Sequence, residues 1–395
     1  MNLSDLDLQG QRALIRVDFN VPLNEAREVT DDTRIRAALP TIQYVLAQGG
    51  SAVLMSHLGR PKGRDEKFSL KHVLPRIENL LGQKVKFASD CVGDSALDVT
   101  HPMKPGEVTL LENLRFHAEE KAGDEFFAGQ LAENGDVYIN DAFGTAHRSH
   151  ASTATIANFF PGKKAFGKLL AREIEALEKV LACPEKPLTA VIGGAKVSSK
   201  LGIIEHLIGL VDCLIVGGGM AYTFVQAQGG SIGTSLVETE MHAQALSILE
   251  KARSSKTELL LPTDTLCGDT FAPDANTQIS PIHAITEGWM GLDIGPETTA
   301  RFVKAVLRSK TVLWNGPMGV FEMAVFAKGT NAVAASMAKA TADCGAFTLI
   351  GGGDSVAAIN KAGLAEQVSY VSTGGGAMLE CLEGKVLPGI AAIRN

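Results

Sequence analysis

Basic side chains recur directly after short apolar runs in the first half of this sequence. His57–Arg60 and Asn113–Arg115 come shortly after such runs, and a further run leads into Asn140–Asp141 and on to His147–Arg148. Asp18–Asn20 follows the first run, and Arg34 opens the helical pattern after it. Any one of these arginines, taken alone, is most simply a solvated or ion-paired surface residue. Guanidinium groups, however, bind phosphate and carboxylate through two parallel hydrogen bonds. Their repetition after successive runs therefore favours a site for a small ligand that carries several negative charges.

Glycine clusters take the same place in the second half of the chain. They are Gly193–Gly194, Gly217–Gly219, Gly351–Gly353 and Gly374–Gly376. Glycine lets a ligand approach the backbone closely, and backbone N–H groups at a helix start attract phosphate. Lys196 and Lys200 would share one face of a helix that began after the first cluster. Asp354 could hold Mg²⁺ on phosphate oxygens. This half of the chain is therefore predicted to bind a nucleotide with Mg²⁺.

Two familiar phosphate-binding patterns do not account for these clusters. No GxGxxG sequence opens a strand–helix–strand unit, so a dinucleotide site of that kind has no support. Gly162–Lys168 matches GxxxxGK, but Leu169 stands where a serine or threonine would bind the metal. We interpret this match as a coincidence.

The polar clusters must be positioned by strands, and the strand signals are continuous apolar runs. They are Ala13–Val17, Ala52–Met55, Val108–Leu111, Val137–Ile139, Ala190–Ile192, Cys213–Val216, Leu259–Leu261, Val312–Trp314 and Phe347–Ile350. Such runs are typical of strands that are buried on both faces of a parallel sheet. Helical spacing lies between them, as in Arg34–Ala47. We therefore predict an α/β fold with ligands at the carboxyl ends of the strands.

A helix near the middle of the chain is the best candidate for a linker. Lys168–Ala182 has one apolar stripe, follows the turn-like residues 160–164, and ends before Pro184. The pattern predicts two doubly wound parallel-sheet lobes, Rossmann-like in class, that are joined by an interdomain helix. An ordinary crossover helix within a single sheet is equally compatible with this segment.

Composition narrows the class of protein. The 395 residues are 45% hydrophobic and 21% charged, with a net charge of −7 and 6% aromatic residues. The chain thus has neither an excess of basic residues nor many aromatic residues on which bases could stack. Both observations disfavour a nucleic-acid partner. Six cysteines without a CxxC pair suggest buried thiols in a reducing compartment. No apolar run approaches the roughly 18 residues of a membrane span, and the first residues do not resemble a signal peptide. We expect a cytoplasmic protein without a membrane partner.

One half that binds a polyanion and another that binds a nucleotide together suggest phosphoryl transfer. The motifs resemble those of the phosphoglycerate kinase family and occur in the same order along the chain, from about residue 12 to residue 389. The segments that carry the resemblance are Arg16–Pro22, Ser56–Pro61, Glu112–Phe116, Asn140–Arg148, Gly193–Val197, Trp314–Glu322, Gly351–Ser355 and Ser372–Gly376. These are long and specific strings.

The resemblance implies a monomeric, two-lobed glycolytic enzyme that bends at a hinge. It would transfer a phosphoryl group reversibly from 1,3-bisphosphoglycerate to ADP, giving 3-phosphoglycerate and ATP, with Mg²⁺. The lobe for 3-phosphoglycerate and 1,3-bisphosphoglycerate would be residues 1–167, to which residues 383–395 return. Residues 168–182 would be the linker helix, and residues 183–382 the nucleotide-binding lobe.

The resemblance also assigns residues by motif match. The substrate set is Asp18, Phe19, Asn20, Arg34, His57, Leu58, Gly59, Arg60, Arg115 and Arg148. The nucleotide set is Gly194, Lys200, Gly217, Gly218, Asn315, Pro317, Glu322, Gly351, Gly352, Gly353, Asp354 and Ser355. The catalytic set is Arg34, Lys196, Lys200, Asp354, Gly352 and Gly375. Glu322 is expected on the ribose, Asp354 on the metal, and Arg34 with Lys196 at the phosphoryl group in transit. Residues 263–270 match the family more loosely and receive no ligand.

The chemistry of this reaction fits the residue types. Its acceptor is a carboxylate, which is already ionised at neutral pH because the pKa of a carboxyl group is about 4. No general base is needed, so His57 is interpreted as a residue that binds or orients the ligand. Two rival functions stay open: a kinase for another carboxylate, such as acetate or aspartate, and a nucleotide-sensing protein without catalysis. Lys196, Lys200 and Asp354 are all present, which speaks against the second.

Overall fold

Two six-stranded parallel sheets organise residues 2–395, which are the residues that the computed structural model describes. Each sheet belongs to one of two units. The first unit contains the residues up to Glu175 together with Val386–Asn395, and the second contains Ala176–Lys385. The predicted α/β class with two doubly wound parallel sheets is confirmed. The boundary between the units falls inside the helix that was predicted near the middle of the chain.

The first unit has the strand order β3-β4-β2-β1-β5-β6. Its strands are β1 (Arg12–Arg16), β2 (Ser51–Met55), β3 (Val85–Phe87), β4 (Val108–Leu110), β5 (Val137–Asn140) and β6 (Lys164–Phe166). Its helices are α1 (Thr33–Ala47), α2 (Leu74–Leu81), α3 (Asp94–Thr100), α4 (Ala118–Ala122), α5 (Glu125–Ala132) and the start of α6 (Lys168–Leu181). Arg16 is level with Met55 on one side and Asn140 on the other. The residues after these three strands therefore meet at one edge of the sheet.

Burial on both faces explains why these strands read as continuous apolar runs. All five residues of β2 are buried, and Ala52 and Leu54 pack with Ile15 and Ile42 in one core. Helix α1 buries Ile35, Ile42 and Val45 on one stripe, as its spacing predicts. The two short strands β3 and β6 were not predicted, because three residues at a sheet edge leave too little pattern.

The second unit has the strand order β10-β8-β7-β15-β16-β17. Its strands are β7 (Leu188–Ile192), β8 (Cys213–Val216), β9 (Ser231–Ile232), β10 (Glu258–Leu260), β11 (Asp264–Gly268), β12 (Thr277–Pro281), β13 (Ala284–Ile285), β14 (Met290–Ile294), β15 (Thr311–Asn315), β16 (Phe347–Ile350) and β17 (Tyr370–Val371). Its helices are α7 (Leu201–Leu207), α8 (Met220–Ala227), α9 (His242–Ser254), α10 (Pro296–Leu307), α11 (Lys328–Cys344), α12 (Gly353–Lys361) and α13 (Gly376–Leu382). The last helix, α14 (Pro388–Arg394), belongs to the first unit.

An antiparallel sheet of three strands, β12-β11-β14, is attached to the second unit and was not predicted. A two-residue parallel pair joins β9 to β13, and β13 lies between β12 and β14 in sequence. Strand β12 has a mostly exposed pattern and β11 is irregular at Leu266/Cys267. These features blur the alternation that marks an antiparallel strand.

The GxxxxGK match at Gly162–Lys168 has a structural explanation that involves no phosphate. Asp141 Oδ1 accepts hydrogen bonds from Leu169 N (2.9 Å) and Leu170 N (3.2 Å) at the start of α6. A Cβ atom at Gly167 would overlap this carboxylate. The protein thus supplies its own anion at this helix start, and glycine makes room for it. The interpretation of the match as a coincidence agrees with this geometry.

Asp141 should make the stability of the first unit depend on pH. Burial raises the pKa of Asp141 from 3.8 to about 6. Because the folded state binds the proton more tightly, the free energy of unfolding falls as pH rises from about 4 to about 6, by on the order of 2–3 kcal/mol. Asp141→Asn keeps the acceptor oxygen and removes this titration. Urea unfolding of both proteins at pH 4 and pH 7 should show the variant gaining that much relative to the native chain. Parallel pH profiles would refute the assignment.

Across residues 2–395, the structure contains no helix that is both long and apolar enough to cross a membrane.

Candidate functional site

The first unit gathers its predicted polar residues at the carboxyl edge of the sheet. Arg34 Nη1 donates to Asp18 Oδ2 and to the carbonyl oxygen of Asn20, each at 3.0 Å. His57 Nδ1 lies 3.9 Å from Asp18 Oδ1. Strand register produces this meeting, because Asp18 follows β1 and His57 follows the neighbouring β2. Three residues that lie far apart in sequence thus form one cluster.

His57 is held as a neutral ring. It is 4% exposed, and Arg16 Nη2 lies 3.3 Å from its Nδ1. Burial first, and then the charges of Arg16, Arg115, Arg34 and Arg148, hold the pKa of His57 well below its usual value of 6.5. Because Arg16 can only donate, Nδ1 acts as the acceptor, so the ring proton sits on Nε2. His57 can therefore offer one N–H to a ligand.

Arg115 and Arg148 carry the clearest sign of an anionic ligand. The Nε atom of each is buried and has no hydrogen-bond partner. Burial first, followed by the charges of Arg148 and Arg16, lowers the pKa of Arg115 to about 10. Buried N–H groups without an acceptor are costly, and those on a charged group most of all. A phosphate or carboxylate beside these two guanidinium groups would accept their protons.

Asn113 fixes the loops that carry this cluster. Its Oδ1 accepts from Leu58 N (3.2 Å) and Arg115 N (3.0 Å), and its Nδ2 donates to Leu58 O (2.8 Å). Arg115 Nη1 in turn donates to Gly59 O at 2.7 Å. Gly59 has a φ of +64° and a Cβ atom there would overlap the Phe68 ring, so only glycine fits.

The remaining members of the substrate set differ in what they can contribute. Phe19 and Leu58 are buried in the core, so only their backbone can face a ligand. Asn20 Oδ1 accepts from Gly59 N at 2.8 Å, which joins the first two loops. Arg60 is exposed at the end of the same loop.

Arg16 was not assigned as a site residue, although it lies in one of the recognised motifs. Its side chain is fully buried, and its Nε donates to Ser152 Oγ at 2.8 Å. Ser152 in turn binds Glu120 through Oγ (2.7 Å) and N (2.9 Å). Arg16 therefore links a buried carboxylate to His57. The available sequence signal was a charged residue at the last position of an otherwise apolar strand.

The second unit brings its glycine-rich strand ends together. Gly193 N donates to Asn315 O (2.9 Å) and Gly194 N donates to Pro317 O (3.2 Å). Gly218 has a φ of +70°, and a Cβ atom there would stand 2.7 Å from Gly194 N. A side chain at Gly193 or Gly218 would push the loops apart. The close approach of backbone that the glycine clusters predict is therefore present.

Lys200 and Asn315 form a polar link beside these loops. Lys200 Nζ donates to Asn315 Oδ1, and Asn315 Nδ2 donates to Gly351 O at 2.8 Å. Burial lowers the pKa of Lys200, and the nearby charges of Asp354 and Glu383 oppose that effect. A partly buried ammonium group that donates to a neutral amide has further N–H groups to offer to a phosphate oxygen.

Lys196 does not share a helical face with Lys200, and that prediction is wrong. Helix α7 begins at Leu201, so both lysines precede it, and the Lys196 side chain is exposed. The residues between them form turns, and Glu238, which is distant in sequence, holds these turns through hydrogen bonds. Its Oε2 accepts from Ser198 N at 3.0 Å, and its Oε1 accepts from Ser198 Oγ at 2.6 Å. Glu238 was not predicted, because nothing near it in sequence marks this contact.

A cavity of about 660 Å³ in the second unit is lined by part of the nucleotide set. The members that line it are Gly194, Gly218, Pro317, Glu322 and Asp354. Sequence reasoning missed its apolar wall, which consists of Leu236, Phe271, Met290, Leu292, Val320 and Met323. Phe271 is 61% exposed, although it is a large apolar side chain. A pocket with one apolar wall and one glycine-rich wall suits a flat ring joined to phosphates.

The other nucleotide residues surround the start of α12. Gly352, with a φ of +90°, precedes the helix, and a Cβ atom there would stand 2.5 Å from Asn315 Nδ2. Ser355 is buried and its Oγ accepts from Gly316 N. Gly351 follows β16 and Gly353 is the first residue of α12, whereas Gly217 follows β8 and Gly375, with a φ of +49°, precedes α13. Lys196 and Gly375 are not among the residues that line the cavity.

Asp354 is a reasonable magnesium ligand. It is exposed in the first turn of α12 and lines the cavity. Magnesium usually keeps several waters and binds one or two carboxylates together with substrate phosphates. An exposed carboxylate at a helix start that lines a cavity fits that habit.

Comparison with known proteins identifies one family. The model of the family "Phosphoglycerate kinase" matches residues 3–385. The chain is 55% identical to "Phosphoglycerate kinase" of Chloroherpeton thalassium, over 100% of this chain and 98% of that one. It is 52% identical to "Phosphoglycerate kinase 3, cytosolic" of Arabidopsis thaliana, over 99% and 97%. The solved structure of phosphoglycerate kinase from Coxiella burnetii matches with a TM-score of 0.93 at 42% identity, covering 100% of this chain and 98% of that one.

Proposed function

This chain belongs to the phosphoglycerate kinase family, and we propose that it performs the family's reaction through the two residue clusters described above. The reaction itself is established by membership: the protein is a phosphotransferase of glycolysis, with ATP or ADP as co-substrate and a carboxyl group as acceptor. The residue roles, the metal, the oligomeric state and the motion that follow are our proposals. The observation that supports them best is the pair of buried Nε atoms on Arg115 and Arg148 that lack an acceptor.

We assign the binding of 3-phosphoglycerate and 1,3-bisphosphoglycerate to the first unit. Arg60, Arg115 and Arg148 bind phosphate or carboxylate oxygens, and His57 donates from Nε2. Asp18 and Asn20 bind the neutral hydroxyl end of the ligand and orient Arg34. In this assignment, each negative charge of the ligand binds an arginine that forms no ion pair with an aspartate or glutamate among residues 2–395.

We assign the nucleotide to the cavity of the second unit. The base lies on the apolar wall around Leu236 and Phe271, Glu322 accepts from the ribose hydroxyls, and the phosphates extend toward Gly194, Lys200 and the start of α12. Asp354 would hold Mg²⁺, and the metal would supply positive charge beside the phosphates.

In the direction that consumes ATP, a carboxylate oxygen of 3-phosphoglycerate forms a bond to the γ-phosphorus. The bond between that phosphorus and the β–γ bridging oxygen breaks, and ADP leaves with the electron pair. No proton moves, because the acceptor is already ionised. Arg34 and Lys196 stabilise the negative charge on the transferred group, and Lys200 with the backbone N–H groups of Gly352 and Gly375 holds the phosphates in line.

A coupled assay with 3-phosphoglycerate and Mg·ATP tests this proposal directly. We expect turnover with 3-phosphoglycerate and none above background with acetate or aspartate, because those acceptors lack a phosphate for the arginine cluster. Turnover with acetate or aspartate at the same rate would favour another carboxylate kinase. Nucleotide binding without any turnover would favour a sensor.

Replacing Arg148 with alanine should affect one ligand only. We expect weaker binding of 3-phosphoglycerate by about 1.5–3 kcal/mol, the range for hydrogen bonds to charged groups. The affinity for ADP should be nearly unchanged, because the nucleotide residues all lie in the other unit. Calorimetric titration of each ligand alone measures both effects. An equal loss of affinity for both ligands would place Arg148 outside the substrate site.

We further propose a cytoplasmic monomer in which residues 1–167 with 383–395 and residues 183–382 act as two lobes. Residues 168–182 are the linker, and the hinge lies at its ends and near residues 372–376. In-line transfer needs reacting atoms about 3–3.5 Å apart with little water between them. Each ligand alone binds one lobe and gains little from closure. The radius of gyration in solution scattering should therefore fall only when 3-phosphoglycerate and a nucleotide are both bound. No change in the ternary complex would refute hinge closure.

A further inference from the structure

A second cavity in the Ala176–Lys385 unit, of about 460 Å³, shares no lining residue with the nucleotide cavity. Its walls come from the end of α8, from α9, from β10 and the residues after it, and from α10. Tyr222 of α8 lines the nucleotide cavity, whereas Val225, about one turn later, lines this one. The volume lies within the range of about 300–1,000 Å³ that is usual for small-molecule pockets. The proposed reaction uses none of its residues.

The ionisable side chains that line this cavity are all basic. Arg253, Arg301 and His283 line it, and no aspartate or glutamate among residues 2–395 does so. The chain as a whole has 44 acidic residues against 37 lysines and arginines, so this is a local reversal of charge. Neither Arg253 nor Arg301 forms an ion pair within the part of the chain that the structure describes. The positive charge at the cavity is therefore not neutralised by the protein.

Arg301 supplies the strongest argument for an anionic ligand. Its Nη1 atom is buried and has no hydrogen-bond partner. A buried N–H of a charged group without an acceptor is unfavourable, because the hydrogen bonds that it made to water are not replaced. Arg308, two turns later at the end of the same helix, binds Glu258 at the surface. The structure thus gives Arg308 an acid partner and leaves the buried Nη1 of Arg301 without an acceptor.

Apolar side chains form most of the remaining wall, and Gln228, Thr257 and Thr263 are its uncharged polar members. Val225, Leu249, Leu259, Leu261, Pro262 and Ile282 line it. A small inorganic ion would satisfy the arginines and leave this surface in water. A ligand with an anionic head and an apolar body would satisfy both parts at once.

We propose that this cavity binds a small amphipathic anion, with the acidic group on Arg301 and Arg253 and the apolar body against Leu249 and Leu261. The probe for the test is 8-anilinonaphthalene-1-sulfonate, whose fluorescence rises in an apolar site. N-Phenyl-1-naphthylamine is its matched neutral analogue, because it has the same rings without the sulfonate. The full chain is titrated with each probe.

Arg301→Gln should weaken binding of the sulfonate about 10-fold or more, and Arg253→Gln about 3- to 10-fold, as expected for hydrogen bonds to charged groups. Lys304→Gln removes the same charge from an exposed position on α10 that does not line the cavity, and should change the affinity less than about 2-fold. The neutral analogue should be insensitive to all three substitutions. Arg253 is exposed, so its variant should fold even if Arg301→Gln is unstable.

Three outcomes would overturn the proposal. The first is no saturable binding of the sulfonate to the native chain. The second is unchanged affinity in both arginine variants, which would place the probe elsewhere. The third is an equal loss for the charged and neutral probes, which would show a change of packing and no anion contact. The rate of the kinase assay without probe should be the same in all variants, so a failure of the proposed reaction is distinguishable from a failure here.

Discussion

Replacing Lys196 with alanine is expected to lower kcat by about 10²-fold or more and to change KM for either substrate little. The negative charge on the phosphoryl group in transit is spread over three oxygens, and a positioned cation acts on it most strongly at that moment. Lys196 lies on an exposed loop whose ends are fixed by Gly194 on one side and by Glu238 through Ser198 on the other. Steady-state kinetics with both substrates varied gives kcat and the two KM values.

The Lys196 variant should fold normally, because the side chain is exposed and no hydrogen bond of its ammonium group holds the loop. Lys256→Ala is the matched control, since Lys256 is also exposed and lies in the turn between α9 and β10. It should keep the native kcat. A near-normal kcat with a raised KM in Lys196→Ala would assign the lysine to ground-state binding, and the proposed role would be wrong.

The part of the site that follows strand ends could be predicted from sequence. Parallel strands in register end at one edge, so residues after β1, β2 and β5 had to meet. Asp18, His57 and Arg148 were found in this way. The glycine clusters after β7, β8 and β16 follow the same logic. What made both predictions possible is that continuous apolar runs locate such strands without knowledge of their neighbours.

Contacts that depend on distant residues could not be predicted. Lys196 and Lys200 would share a face if a helix began directly after Gly194, but α7 begins at Leu201, and Glu238 binds the backbone N–H of Ser198 and holds the segment as turns. Phe271 lines the cavity and lies between β11 and β12, two strands of an antiparallel sheet. The alternation of polar and apolar residues that would predict this sheet is weak. Sequence spacing indicates which structure a segment can form alone. The structure at these positions depends on contacts with residues that are distant in sequence.

Arg16 is the most consequential of the missed residues. It is fully buried, touches His57, and reaches Glu120 through Ser152. Glu120 is fully buried as well, and burial alone would raise its pKa, but the neighbouring His150, the charge of Arg16 and two hydrogen bonds from Ser152 hold that pKa low. The carboxylate is therefore ionised inside the unit. Its stability there depends on the guanidinium charge at the end of β1.

Arg16→Met should therefore destabilise the first unit by about 3–5 kcal/mol, the range for removing one partner of a buried pair of charges. Urea unfolding of the native chain and the variant measures this loss. Arg12→Met is the matched control on the same strand, because Arg12 binds Asp136 at 2.9 Å where both side chains are partly exposed. It should cost about 1 kcal/mol or less. Adding Glu120→Gln to Arg16→Met removes the stranded charge, so the double variant should recover part of the loss. An Arg16 variant as stable as the Arg12 variant would show that Glu120 does not depend on this arginine.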